Sequence, residues 1–326
     1  MILFLSRFVM AEESMLEWTV GEGEAGQRLD RFLAAKMPEQ SRTQIQNLIK
    51  QGEVTVDGMR VKPGYRLSTG NTVVARVPVV EDTALVAQRI PLDIIYEDED
   101  VVVVNKPAGM VVHPAPGHEA GTLVNALLAH FPELAGFIET DEETARRPGI
   151  VHRLDKQTSG LIVVAKHEAA RRFLQGQFKQ RKVRKTYVAL LEGRLQPPDG
   201  IIEAPIGRDP KDRKRMAVRQ RGGRPARTVY HLIEYFDDYT LVTVQPVTGR
   251  THQIRVHLAA IGHPVVGDRV YGYRRQRSGL RRQFLHAWKL ALTLPSGEMR
   301  EFVAPLPPDL RDALITLAGR VPEELS

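Results

Sequence analysis

The sequence predicts a mixed α+β fold built on a largely antiparallel sheet, preceded by a small N-terminal α+β module. Three observations carry this. Beyond residue 91, apolar strand-like segments follow one another with short turns and only occasional helical stretches, a pattern of α+β domains rather than of alternating βαβ units. Residues 26–77 hold a self-contained run of two helices and a hairpin. Residues 78–91 carry a proline at each end, Pro78 and Pro91, with no apolar stripe of helical period, and read as a linker between the two.

The elements follow in order. The opening MILFLSRFVM is shorter than the roughly 18 apolar residues of a membrane span and runs into AEES rather than a small-residue cleavage site. Residues 1–25 are therefore expected to be a poorly ordered extension. A helix is predicted from about Gln27 to Lys36 and a second from Arg42 to Gln51; Ser41 with Gln44 three residues on, followed by Ile45, is a capping-box entry to the second. Asp57-Gly58 between VTV and MRV marks a tight turn between short strands. In the larger domain, residues 92–320, strands are predicted at DIIYEDEDVVVVNKP with a turn over Glu97 to Asp100, then at LIVVAK, TYVALLEG, ARTVYHLIEYF and YTLVTVQPV. Helices are expected at about Thr122–Phe131, Glu168–Gln180, Thr251–Ile261 and Pro308–Ala318, and residues 321–326 as a tail.

Composition narrows the chemistry. A chain of 326 residues with 42% hydrophobic content can bury a sizeable core, and no window is apolar enough to span a membrane. The absence of cysteine excludes disulfides, thiol catalysis and cysteine-ligated metal sites, and agrees with a cytoplasmic location. Neither a G-x-S-x-G elbow nor a phosphate-cradling G-x-x-x-x-G-K-[ST] loop occurs. GEGEAG at Gly21–Gly26 matches G-x-G-x-x-G, but Glu22 and Glu24 would face a pyrophosphate and no second buried strand ending in an acid follows, so it reads as a plain loop. His252 and His257 are five apart, which is not the same-face spacing of a metal pair. No metal and no cofactor is expected.

Net charge is +7, and its distribution says more than its size. Of 46 basic residues, 22 fall in three segments of 49 positions in all, Arg171–Lys185, Arg208–Arg227 and Arg269–Arg282, where an even spread would put about seven. One such run is ordinarily a solvated face. Three acid-poor runs in one domain point to a polyanion surface, RNA or DNA phosphates.

Against that background one carboxylate stands out. Asp155 in HRLDKQTSGL lies between Arg153 and Lys156 just ahead of a buried strand, in a segment flanked by Pro148-Gly149 and Ser159-Gly160. A structural ion pair would explain an isolated acid of this kind. Two further segments weigh against that: RKTYVALLEG sets Tyr187, whose phenol can stack on a base, beside a basic run, and TGRTHQIRVHLAAIGHPVVGD sets Arg255 inside an amphipathic helix, where it calls for a buried carboxylate.

HRLDKQTSGL, RKTYVAL, GRTHQIRVHLAAIGHPVVGDRVYG and, upstream, NKPAGMVVHP with GTLVNALLAHF together resemble the RluA-type RNA pseudouridine synthases over residues 90–305. Residues 26–77 resemble the alpha-L RNA-binding module named after a ribosomal protein, and the pairing is most similar to the D-type synthases of large-subunit ribosomal RNA. The resemblance implies isomerisation of uridine to pseudouridine: the bond from ribose to base nitrogen breaks, the base rotates and rejoins through carbon five, without redox change or energy input. By it, Asp155 is the essential carboxylate, attacking ribose or base or abstracting a ribose proton; Arg255 is its counter-charge and Tyr187 stacks on the target base. Arg153 would enter the RNA stack in place of the flipped uridine, His152 would bind RNA, and Arg28, Arg31, Arg42, Lys50 and Arg60 would contact phosphates. The implied partner is large-subunit ribosomal RNA or a pre-ribosomal particle, met by a monomer without a protein partner. Two other classes compete: a non-catalytic RNA-binding assembly factor, in which Asp155 is merely ion-paired, and a pyrimidine deaminase, whose zinc site needs the cysteines this chain lacks.

Overall fold

The computed structural model describes residues 13–38, 40, 42–78, 85–115, 117–137, 147–212, 215–273 and 279–325. The chain divides into two compact units, residues 1–83 and 84–326.

In the first unit, α1 (Leu29–Lys36) and α2 (Arg42–Gln51) pack on a four-stranded antiparallel sheet of β1 (Glu13–Thr19), β2 (Val54–Val56), β3 (Met59–Arg60) and β4 (Thr72–Pro78), in the order β1-β4-β2-β3. Leu29, Phe32, Leu33, Ile45 and Ile49 from the helices bury against Val54, Val56 and Val73. Asp57 (φ 49°) and Gly58 (φ 76°) are both left-handed, as a two-residue hairpin turn requires. The Asp57 carboxylate also accepts from the Thr72 amide at 2.7 Å, pinning β4 beside the turn. The expectation of a disordered N-terminal extension fails for residues 13–25. Glu13–Thr19 pairs with β4 over seven residues, Trp18 packs edge-on to Phe32 at 6.4 Å, and Val20 is buried. Residues 1–12 lie outside the described part.

The second unit is built on a nine-stranded sheet. Its strands are β5 (Ile94–Glu97), β6 (Val101–Lys106), β7 (Ser159–Ala165), β8 (Arg184–Glu192), β9 (Asp199–Glu203), β12 (Arg227–Tyr235), β13 (Tyr239–Pro246), β14 (Leu285–Thr293) and β15 (Met299–Val303). Their order is β5-β6-β7-β14-β8-β13-β12-β9, with β15 also on β14; β10 (Ile206–Arg208) and β11 (Met216–Val218) form a separate ribbon. The sheet is antiparallel except where β14 runs parallel to β7. Strands β9, β10, β11, β14 and β15 were not anticipated.

The run VVVV in β6 is apolar on both sides because both faces are covered. Val102 and Val104 enter the main core with α3 (Leu123–His130) and α6 (Pro308–Ala318), while Val101 and Val103 join Ala170 and Leu174 of α4 (Glu168–Lys179). At the β7/β14 crossing Gly160 takes φ +112°, and a Cβ there would lie 2.3 Å from the Ala287 carbonyl oxygen. Glycine is therefore required, and Ser159 next to it is tied to His286 at 2.9 Å.

Two expected boundaries shift. Residues 85–90 of the linker are fastened to the second unit: the Asn125 amide donates to the Val86 carbonyl, and the Gln88 side chain accepts from the Gly121 amide, both at 2.8 Å. In the tail, Leu325 is buried in the main core.

Candidate active site

The loop between Ile150 and β7 carries Asp155, closed by a turn in which the Thr158 amide donates to the Asp155 carbonyl at 3.0 Å. One hundred residues later, α5 (Gln253–Ala260) begins after His252, which has the left-handed φ of 56°. That helix delivers Arg255 to the loop. Its Nη1 donates to Asp155 Oδ2 at 3.0 Å, while Nε and Nη2 grip Asp268 at 2.6 and 2.9 Å.

The buried carboxylate that Arg255 called for is thus present twice. Asp268 is fully buried, the Arg255 side chain is 6% exposed and that of Asp155 21%. Asp268 also accepts from the Val270 and Tyr271 amides at 2.8 and 3.0 Å. Burial drives the Asp268 carboxyl upward, but the guanidinium and the amides outweigh it and hold the carboxyl below its usual range. Burial likewise works against the Arg255 charge and is overcome by the two carboxylates. The result is an arginine fixed by a buried bidentate pair, with one nitrogen left for Asp155.

Around this floor lies a cavity of about 420 Å³, large enough for a nucleotide-sized ligand. Tyr187 on β8 lines it, buried to 8%, with the phenol pushed well above its ordinary value first by burial and then by the Asp155 charge. His252 Nδ1 lies 2.8 Å from the Tyr271 hydroxyl, which accepts from the Met216 amide at 2.9 Å. His252 Nε2 lies 3.9 Å from Asp155, beyond hydrogen-bond reach. Besides Arg255, five cations, Arg153, Lys179, Arg181, Lys185 and Arg250, line the same cavity, while Asp155 is the acid among its lining residues. Burial lowers Lys185 to about 8.

The remaining predicted residues have these places. The His152 ring lines the cavity, stacks on Phe178 at 4.7 Å, accepts from the Val163 amide at 3.0 Å and is pushed by burial to about 3, so it is a neutral ring that braces the Asp155 loop. Arg28 stays exposed while its fork binds Asp30 at 3.0 and 2.9 Å, and Asp30 is fully buried, where a carboxylate needs a partner. Arg31, Lys50 and Arg60 are exposed, and the side chain of Arg42 lies outside the described part. His257 is structural, sharing hydrogen bonds with Thr228 and the Ala204 carbonyl, both at 2.9 Å. No group of metal-ligating side chains occurs among the described residues.

Two functional candidates escaped the sequence reading, Asp268 and Lys106. The Lys106 ammonium is fully buried behind the Asp155 loop, donating to the carbonyls of Pro107 (2.8 Å) and Met110 (3.0 Å), with that of Lys156 at 3.5 Å. Burial lowers it to about 7, against the pull of Asp155. Its signal was its place in the otherwise apolar VVVVNKP.

A carboxylate held by a buried arginine, in a cavity lined by the Tyr187 ring and by cations, suits a ligand that is both aromatic and anionic. Residues 100–260 match the family described as RNA pseudouridylate synthase, and residues 27–73 match the S4 domain. The chain is 54% identical to an uncharacterized RNA pseudouridine synthase of Chloroflexus aurantiacus over 95% of both chains. It is 45% identical to the ribosomal large subunit pseudouridine synthase D of Nitrosomonas europaea, over 91% of this chain and 86% of that one. A solved structure, human RNA pseudouridylate synthase domain containing 1, matches 70% of this chain and 89% of its own at 33% identity and a TM-score of 0.56. The chain belongs to the RNA pseudouridine synthase family.

Proposed function

We propose that this enzyme isomerises specific uridines of large-subunit ribosomal RNA, with the target base flipped into the Asp155 pocket. The observation that carries the reading is the Asp155–Arg255–Asp268 chain on the floor of a cation-rimmed cavity. Similarity to synthases named for the large ribosomal subunit supports the substrate. Asp155 is the essential carboxylate, Arg255 fixes its position and charge balance, and Tyr187 lies against the base. With its phenol held high, Tyr187 is protonated at neutral pH and serves as a stacking and donor surface. Arg153, exposed on the rim, fills the gap the base leaves in the RNA stack. The S4 domain holds neighbouring RNA through Arg31, Lys50 and Arg60. The enzyme works as a monomer in the cytoplasm, on ribosomal RNA free or in a pre-ribosomal particle.

The test is tritium release from large-subunit RNA labelled at carbon five of uridine, taken from cells lacking this protein. Wild type should release tritium and Asp155→Ala should not, at equal RNA binding. Equal release by both would remove Asp155 from the chemistry; no release by either would remove this RNA as substrate.

A further inference from the structure

The pocket floor accounts for Asp155, Arg255 and Asp268, but not for the arginines at its mouth. Helix α4 is closed by Gln180 in a right-handed conformation, and Arg181 after it takes φ 59°. The Arg181 amide donates to the Phe178 carbonyl at 3.2 Å and the Lys182 amide to that of Gln177 at 2.9 Å. Glycine is the usual occupant of this helix-ending turn, because a Cβ is strained there.

Among the described residues only Asp57, Arg181 and His252 bear a side chain at positive φ. Asp57 makes a hairpin turn, where Asx residues are at home, and His252 sits over Asp155. Arg181 has neither excuse.

Its side chain lines the pocket, as does that of Arg250. Arg250 Nε donates to the Pro225 carbonyl at 3.1 Å, which sets it beside Arg224. Burial first, and then the charges of Arg224 and Arg181, push the Arg250 guanidinium below its ordinary value, as expected where like charges crowd. No carboxylate among the described residues pairs with any of the three. The chain thus bears backbone strain and charge repulsion at one spot, and a bound anion relieves the repulsion while using the strained side chain.

We propose that Arg181, Arg224 and Arg250 form a seat for one phosphate of the RNA backbone next to the nucleotide in the pocket. The enzyme thereby grips the sugar-phosphate chain at the mouth and leaves the base to Asp155. This rests on the reading of the pocket as a site for a flipped nucleotide.

The experiment measures RNA affinity against salt, together with thermal unfolding, on the full chain. Arg181→Gly should raise Tm, since glycine suits the turn, yet weaken RNA binding about tenfold and reduce the log K versus log [salt] slope by about 0.7–0.9, the share of one phosphate. Arg250→Ala should give the same loss of slope, and the two changes together no more than either alone, because they share one phosphate. Arg181→Lys should keep the slope. An unchanged slope in Arg181→Gly, a fall in its Tm, or slope losses that add in the double variant would each overturn the seat. Tritium release by wild type on the same RNA separates the two claims: release with an unchanged Arg181→Gly slope sinks the seat alone, whereas a lowered slope without release on any RNA sinks the enzymatic reading alone.

Discussion

Replacing Asp268 by asparagine removes one charge from a buried pair and nothing from the pocket surface. Asp268 is fully buried and Arg255 nearly so, joined by two hydrogen bonds of 2.6 and 2.9 Å. Breaking such a pair by one partner costs about 3–5 kcal/mol, because the remaining charge is left uncompensated. For a domain of this size each kcal/mol moves Tm by about 2–4 °C, so Asp268→Asn should lower the transition by roughly 6–20 °C. Arg255 would then lean on Asp155 alone and lose its fixed aim. Tritium-release kcat should therefore fall steeply while RNA affinity stays within about twofold, since Asp268 is out of reach of any ligand. A double-mutant cycle with Arg255→Met should return a coupling of about 2 kcal/mol or more. A Tm within about 3 °C of wild type, or a coupling near zero, would refute the idea that Asp268 anchors the arginine.

Three other outcomes follow from burial. Lys106 is lowered by burial to about 7 while the unfolded chain keeps a lysine near 10.4, so the unfolded state binds more protons between those values. Stability should rise from pH 7 towards pH 10 with a slope of up to about 1.4 kcal/mol per unit, and Lys106→Met should flatten it in denaturant titrations. His113 and His286 are lowered by burial to about 4 and His152 to about 3, so their contribution is complete above the unfolded value near 6.5 and is lost as pH falls towards 4; Tm of the triple variant His113→Gln, His152→Gln, His286→Gln should depend less on pH across that window than Tm of wild type. Gly160→Ala should cost several kcal/mol, about 1–3 from its φ and about 1–3 from collision with Ala287, and abolish soluble expression or lower Tm sharply.

Much of the fold was legible because its periodicities are local. VVVVNKP and LIVVAK could only be strands covered on both faces, and RTQIQNLIKQ presents one apolar side. The losses have physical causes. β1 hides its pairing in the partner strand, since among its described side chains only Trp18 is partly buried, and an exposed edge strand carries little apolar signal. β14, with LHAWKLALT, mixes polar residues into a central strand because His286 is paired with Ser159 and Lys289 lies over Trp288 at 3.9 Å.

At the site, Asp155 and Arg255 were readable from residue type and neighbourhood although 100 positions apart, and the geometry brings them to 3.0 Å. Asp268 was not, because an acid in a glycine-flanked turn looks like ordinary loop polarity until the arginine 13 residues earlier folds back on it. The Arg28–Asp30 pair was hidden for a similar reason: Asp30 resembles a solvated first-turn acid and is in fact buried.

The pocket is also layered by charge. Its floor sets Asp155 against the Arg255 guanidinium, which the buried Asp268 holds from behind, while its mouth carries only cations. A nucleotide is itself two-ended, with a neutral ring and an anionic phosphodiester. On the proposed function, such a gradient would sort the two ends: the phosphodiester would stop at the entrance and the uncharged ring would be the part free to descend. Orientation would then be decided before any contact with the base edge, and a base bearing its own negative charge would be refused at the floor.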